Sequence, residues 1–421
     1  MHCGLAAAVT PDRRAFVHDI VHCSGVLLAR STVYPAATNT TQEHGHTMAG
    51  RWVGMCKGLL FGLLFFLTAF FNTLVAGVPL FLVSVVSPSV GRRALDVFIG
   101  FWFVFCVALF ELLLGIKIVI HGHPAPTTDS TLILCNHRTR LDWLFLMAYQ
   151  LRCGSLSHYR ISLKQSLKNL PVPGWGMQLA GYVFLQRDWS QDQQRITRSL
   201  QYFAQTRTRP QFLLFPEGTD LNPNGLVKSR AFAEKHGLPV YKHVLHPRTT
   251  GFVHFVKEMR KNKILDSILD LTVAYPRDVI QNEADLVLGR FPQEVHFLAL
   301  RHPIADVPSS AERLEDWCRD LWRRKESTLE KFYNQDRTFS KNRLGPVVSP
   351  ATEAWVRRVL WASVVFWLVF LAGVLNALVF LPPFRWYCVV CVVVLAVICK
   401  LLGGLDAVMF SASSRKRNHD K

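Results

Sequence analysis

Leu132-Ile133-Leu134-Cys135-Asn136-His137-Arg138-Thr139-Arg140-Leu141-Asp142-Trp143 runs from an apolar stretch into a basic, polar turn, and a second apolar segment, Leu144-Phe145-Leu146, begins just after it. The first run has the length and character of a buried strand. It delivers Asn136 and His137 into the turn, and Asp142 follows five residues after His137. A carboxylate beside an imidazole holds it in one tautomer and stabilises the imidazolium formed when it takes a proton. On one continuous helix that separation would place the two side chains roughly 140° apart. The pair meets only if His137 lies in the turn and Asp142 in the first turn of the following helix. The plain alternative is a surface histidine near a helix N-terminal acid, so the surrounding chain has to decide.

Around this stretch, from Lys117 to Thr338, short β-branched or apolar runs alternate with longer mixed segments. Strands are expected at Lys117–His121, Thr131–Cys135, Tyr182–Leu185, Phe212–Phe215, Leu271–Ala274 and Val295–Leu300. Helices are expected at Asp142–Leu151, Gln191–Thr206, Ser229–His236, Phe252–Lys261 and Ser310–Phe332. The alternation predicts an α/β fold with a mostly parallel sheet and flanking helices. Polar groups that act on a ligand then collect beyond the strand carboxyl ends. His137, Arg187 and Glu217 each follow a strand candidate.

On either side the composition turns apolar. Leu59 to Gly91 contains no charged residue, and Asn72, Gly77 and Pro79 interrupt it, predicting a kinked span or a re-entrant segment. Val97–Ile116 is apolar except for Glu111, which must sit at an interface or in a packed pocket if the segment crosses. The short basic turn between them carries Arg92 and Arg93, and these compete with Arg51 and Lys57 in any positive-inside argument. Val359–Phe384 is again free of charge, and Trp386–Cys399 spans only by tilting or by letting Lys400 snorkel. The expected organisation is a disordered leader at 1–47, membrane helices at 48–116, the α/β domain at 117–338, a linker at 339–358, membrane helices at 359–405 and a basic tail at 406–421. Met48 is an alternative start, and Asn39-Thr40-Thr41 is a glycosylation sequon in form.

Lysine and arginine number 48 against 30 acids, which favours an anionic partner: lipid headgroups, coenzyme phosphates or nucleic acid. No zinc-finger spacing, aromatic RNA-binding motif or zipper accompanies the charge, so nucleic acid ranks last. The ten cysteines show no framework, and Cys388-x-x-Cys391 lies in an apolar run, where a lipid-facing or packed pair of thiols is expected rather than a metal or redox site.

Phe215-Pro216-Glu217-Gly218-Thr219-Asp220 follows a strand, with proline and glycine tightening the turn around the glutamate. Backbone amides with the Thr219 hydroxyl would suit a phosphate, whereas a bare Glu217 would repel one. Glu217 is therefore expected to orient an arginine or those amides. Lys164 and Lys168 add charge before Pro173-Gly174-Trp175-Gly176, which reads as a mobile or tightly turned approach. Arg187 ends the next strand and offers a planar fork suited to phosphate.

His137…Asp142, Arg187 and Phe215-Pro216-Glu217-Gly218-Thr219, in that order, resemble the glycerolipid acyltransferase family, which includes the lysophosphatidic acid acyltransferases. Asn136–Trp143, Phe215–Leu221, Lys228-Ser229-Arg230 and Val244–Phe252 look closer still to the lysocardiolipin acyltransferase branch, from near Met48 to the C-terminus. The resemblance implies a membrane-bound enzyme moving an acyl group from acyl-CoA, a co-substrate, to the free hydroxyl of a lysophospholipid. Monolysocardiolipin, lysophosphatidylinositol and lysophosphatidylglycerol are the acceptors it implies, with 1-acylglycerol-3-phosphate the alternative. It makes His137 the general base, Asp142 its orienting partner, and Arg187, Glu217, Gly218 and Thr219 the substrate-binding positions, with no metal and no other cofactor. It implies the endoplasmic-reticulum membrane, with mitochondrial contacts a second location. The chain departs from the family by carrying His246 and Arg248 around Pro247, and Gln186 in place of an acid before Arg187.

Three rivals are weighed beside it. Cys135 could carry the acyl group in a ping-pong route, but its place at a strand end predicts burial. A lipid hydrolase lacks support, because there is no G-x-S-x-G elbow. A non-catalytic lipid-binding protein would not need every candidate catalytic position filled.

Overall fold

A computed structural model describes residues 48–335, 337–339 and 347–419. The leader expected at 1–47 and the sequon at Asn39 lie outside the described residues. Strands β1 (Lys117–His123), β2 (Thr131–Cys135), β3 (Tyr159–Lys164), β4 (Val183–Leu185), β5 (Gln211–Leu214), β6 (Ser267–Ala274) and β7 (Glu294–Pro303) form one seven-stranded sheet in the order β1-β7-β6-β2-β5-β3-β4. All pairings are parallel except β6 with β7, which reverses β7 and its parallel partner β1 relative to the rest. The sheet is thus mostly parallel, as expected. Its centre is β2, buried at all five positions between β5 and β6, as strands covered on both faces must be.

Helices α1 (Met48–Asn72), α2 (Val78–Val86), α3 (Pro88–Ala108), α4 (Asp142–Cys153), α5 (Pro173–Leu179), α6 (Trp189–Gln205), α7 (Pro223–His236), α8 (Thr249–Lys261), α9 (Glu283–Val287), α10 (Ala311–Asn334), α11 (Pro350–Phe380), α12 (Pro382–Leu401) and α13 (Leu405–His419) complete the chain. Sequence reading missed β3, although Tyr-Arg-Ile-Ser-Leu-Lys alternates with the strand period. Pro173-Gly174-Trp175-Gly176 opens the helix α5 and is not a loop. Proline tolerates the first helical turn because the amide it lacks would have no partner there.

Four helical stretches among the described residues are long and apolar enough to cross a membrane: Met48–Val86, Pro88–Leu113, Pro350–Phe380 and Pro382–Leu401. The first runs through a π turn at Thr73–Gly77, which lets the helix pass Pro79, whose ring and missing N–H disrupt a regular turn. The joint with α3 falls at Ser87, so Arg92 and Arg93 do not form the basic turn expected there. Here the backbones close up: a Cβ on Gly91 would lie 2.2 Å from Ser84 Cα.

Arg92 is instead fully buried on α3, with Asp96 2.7 Å away and Leu179 O accepting from it at 2.8 Å. The buried Arg160 of β3 donates to the same Asp96. Charges removed from water persist only when paired and hydrogen-bonded, and this cluster ties the first hairpin to the sheet.

Arg152, near the end of α4, joins both apolar pairs. It donates to Glu111 at 2.7 and 2.9 Å and to Glu353 at 2.8 and 3.0 Å. Glu111 thus occupies the packed pocket that its apolar segment required. Helix α11 begins at Pro350, within the segment expected to be linker. The expected basic tail also corrects to structure. α13 docks through Leu405 N to Gln178 at 2.8 Å, Asp406 to Lys168, and the Phe410 and Tyr202 rings 4.9 Å apart. Cys388 and Cys391 are buried free thiols, which is the packed one of the two alternatives.

Candidate active site

Four parallel strands, β2, β4, β5 and β6, end at one edge, and the chain just beyond each supplies a group to the site. Asn136 extends β2 by side chain. Its amide donates to Val273 O at 3.1 Å and accepts from Val273 N at 2.8 Å. This copies a backbone pairing past the last ladder partners, Cys135 and Leu271, and fixes where His137 enters the turn.

His137 Nδ1 lies 3.0 Å from Asp142 Oδ2. Asp142 is the first residue of α4 and His137 sits in the turn before it, the only arrangement in which the pair could meet. Thr139 is the clasp. Its N–H reaches Asp142 Oδ2 at 3.0 Å, its hydroxyl donates to Oδ1 at 3.2 Å, and Leu141 N–H donates to that hydroxyl at 3.1 Å. Tyr275, immediately after β6, donates to Asp142 Oδ1 at 2.6 Å. Burial holds its phenol far above the ordinary tyrosine range, so it stays a donor. The carboxylate, fully buried, is thus surrounded by donors. It accepts a hydrogen bond from Nδ1–H, which keeps that proton on Nδ1 and leaves the lone pair on Nε2. The His137 ring lies flat against Phe215, centroids 4.0 Å apart and planes at 16°, with 16 % of its side chain exposed.

Glu217 is buried and braces the site. Its Oε1 accepts from His137 N and Trp322 Nε1, each at 3.2 Å, and its Oε2 from Leu245 N at 3.1 Å. It therefore orients amides, as one branch of the expectation held, and touches no arginine among the described residues. Burial pushes its carboxyl up to about 7, against the pull of those donors. Trp322 and the buried Lys325, which pairs with Asp270 and donates to Leu271 O at 2.7 Å, come from α10 beneath the sheet. No sequence argument had marked Tyr275, Thr139 or Trp322.

The phosphate cradle expected of the Glu217 turn is partly closed. Gly218 N–H is spent on Phe215 O at 3.0 Å, and Leu221 N–H on His137 O at 2.7 Å. The Thr219 hydroxyl is taken by Asp220 at 3.3 Å. Arg187 does arrive: its Nη2 donates to Gly218 O at 3.0 Å, from a residue whose backbone has φ +69°. Asp192 holds that conformation by accepting from Gln186 N and Arg187 N at 2.7 and 2.8 Å. Cys135 is fully buried, and burial holds its thiol far above the ordinary range. A buried thiol held in its protonated form is a poor nucleophile. Among the described residues no cluster of side chains could hold a metal ion.

A mostly parallel α/β sheet thus presents a histidine held by a buried aspartate, and helices apolar and long enough to cross a membrane flank it. Comparison gives this arrangement a family. The family model described as "Acyltransferase" matches residues 117–275, and "Acyltransferase C-terminus" matches 285–369. Lysocardiolipin acyltransferase 1 of Gallus gallus is 38% identical over 368 residues, covering 86% of this chain and 97% of that one. The protein of the same name from Danio rerio is 39% identical over 83% of this chain and 94% of its own. Lysophosphatidylinositol acyltransferase 10 of Caenorhabditis elegans is 37% identical over 68% of this chain and 73% of its own. The chain belongs to this acyltransferase family.

Proposed function

We propose that the protein is a membrane-bound, acyl-CoA-dependent lysophospholipid O-acyltransferase of phospholipid remodelling. His137 Nε2 removes the proton from the free hydroxyl of the lysophospholipid while Asp142 stabilises the imidazolium. The oxygen attacks the thioester carbonyl, the tetrahedral intermediate collapses with loss of the CoA thiolate, and the thiolate takes the proton from the imidazolium, which returns His137 to its neutral form. The thioester is already activated, so the base acts on the difficult step and contributes about 10²- to 10⁴-fold.

The observation that carries this reading is the 3.0 Å contact of His137 Nδ1 with a fully buried, donor-ringed Asp142. The relatives' names support lysocardiolipin or lysophosphatidylinositol as acceptor, with lysophosphatidylglycerol and lysophosphatidic acid the comparisons to run. The apolar helices support a membrane location, and we place the protein in the endoplasmic reticulum. Microsomes carrying the wild type or His137→Ala, given labelled acyl-CoA and this panel of acceptors, test it. Transfer is expected to fall at least about 10²-fold in the variant; near-normal turnover with intact membrane insertion refutes the base assignment.

A further inference from the structure

Arg248 departs from the usual apolar form of the family motif around Pro247, and its place points to a use. Its side chain lies over Gly218: a Cβ added to that glycine would be 3.4 Å from Arg248 Nε and 3.6 Å from Cζ. Arg187 approaches the same residue and donates to Gly218 O at 3.0 Å. Two guanidiniums, 61 residues apart in the chain, thus converge on one glycine beside Phe215 and the His137 ring. Both are exposed, and among the described residues neither forms an ion pair with a carboxylate. The nearby Asp192 spends its oxygens on main-chain N–H groups.

This convergence is built. Arg187 adopts φ +69°, which costs a non-glycine residue about 1 kcal/mol, and Asp192 holds it there. Arg248 is fixed through its own N–H, 2.8 Å from Pro216 O, so both arms are anchored to the Glu217 turn. Arg248 is also the residue from which α8 starts, and the amides of that helix end add partial charge of the same sign. Asp188 and Asp220 lie near in the chain but accept from Ser190, Gln191 and Thr219, so two like charges with no ion pair of their own among the described residues suit an arriving anion, and a pair of planar forks suits the oxygens of a phosphate.

We infer that Arg248 is a second arm of the phosphate site that the resemblance gives to Arg187 and Gly218, and the arm that sets how strongly the substrate is held. The inference rests on the acyl-transfer reading for its role. Its chemistry, phosphate capture, is shared by the acceptor's headgroup and by CoA, and the experiment separates them.

Full-length Arg248→Ala and Arg248→Lys are assayed with lysophospholipid and acyl-CoA varied in turn, and radiolabelled glycerol 3-phosphate binding is measured by equilibrium dialysis in detergent. For Arg248→Ala one KM rises about 10-fold or more, kcat changes little, and glycerol 3-phosphate binding weakens. Arg248→Lys restores part of the loss, because it keeps the charge but not the fork. A rise confined to the lysophospholipid assigns the phosphate to the acceptor, and one confined to acyl-CoA assigns it to the donor; either supports the site. Unchanged KM for both substrates, with unchanged binding, overturns it. If wild type transfers no acyl group yet Arg248→Ala loses glycerol 3-phosphate, the acyl-transfer reading falls and the phosphate site stands.

Discussion

Tyr275 donates a 2.6 Å hydrogen bond to Asp142, the carboxylate that holds His137. The two lie 133 residues apart in the chain, and adjacent strands β2 and β6 bring them together. Tyr275→Phe removes one donor and leaves Thr139 and His137 in place. A hydrogen bond to a charged acceptor is worth about 1.5–3 kcal/mol, so kcat is expected to fall about 10-fold or more with KM nearly unchanged. Steady-state kinetics in both substrates check this; a selective rise in KM would remove Tyr275 from the base assembly.

Cys135 sits one residue before Asn136, close to the chemistry but turned into the core. Cys135→Ala should keep most activity and cost about 1 kcal/mol of stability for the small void it leaves. A trapped acyl-enzyme that disappears in this variant would restore the ping-pong route.

Glu217 gives a pH dependence of definite sign. Its carboxyl is raised from 4.5 to about 7 in the folded protein. Over that window the native state holds a proton that the unfolded chain has released, so stability falls as pH rises. The change amounts to about 3 kcal/mol between pH of about 4.5 and 7.5. Burial depresses His296 and His302, which pull the other way, so the quantity to measure is the difference between wild type and Glu217→Gln. That difference should shrink by about this amount across the window. At the acid end of the window the variant should be about 1–3 kcal/mol less stable, because an amide NH₂ then faces an N–H donor, and the deficit should close as pH rises. Parallel pH curves would show that Glu217 does not titrate there.

Arg152→Met leaves Glu111 buried without its cation, and breaking a buried pair in this way costs about 3–5 kcal/mol. The triple variant Arg152→Met, Glu111→Gln, Glu353→Gln removes all three charges and should recover most of that loss. Thermal unfolding in detergent distinguishes the two. Equal midpoints for the single and triple variants would mean that the contact matters through shape and not charge.

The sequence was legible where partners are close along the chain. His137 and Asp142 share one turn, and most strands announce themselves by apolar runs, although β6 extends from Ser267 and not Leu271. What stayed hidden was joined by strand order or by burial of charge. Tyr275 follows a strand just as His137 does, and that position could have marked it. Trp322 shares the apolar face of α10 with Leu314, Cys318 and Leu321, so it reads as core until its indole meets Glu217. Arg92 and Arg160 were hidden for the opposite reason: a sequence gives an arginine to solvent by default, and only Asp96 explains their burial.

The three-way grip of Arg152 bears on how the chain comes to maturity. During synthesis the first apolar pair, with Glu111, and then α4 leave the ribosome well before Glu353, which lies 201 residues beyond Arg152. Until that late glutamate docks, the far end of the helix that begins at Asp142 has only half its clasp. Clipping or tagging the C-terminal third should therefore be felt at the turn that joins His137 to Asp142, with the last apolar helices as the final stitch in its assembly.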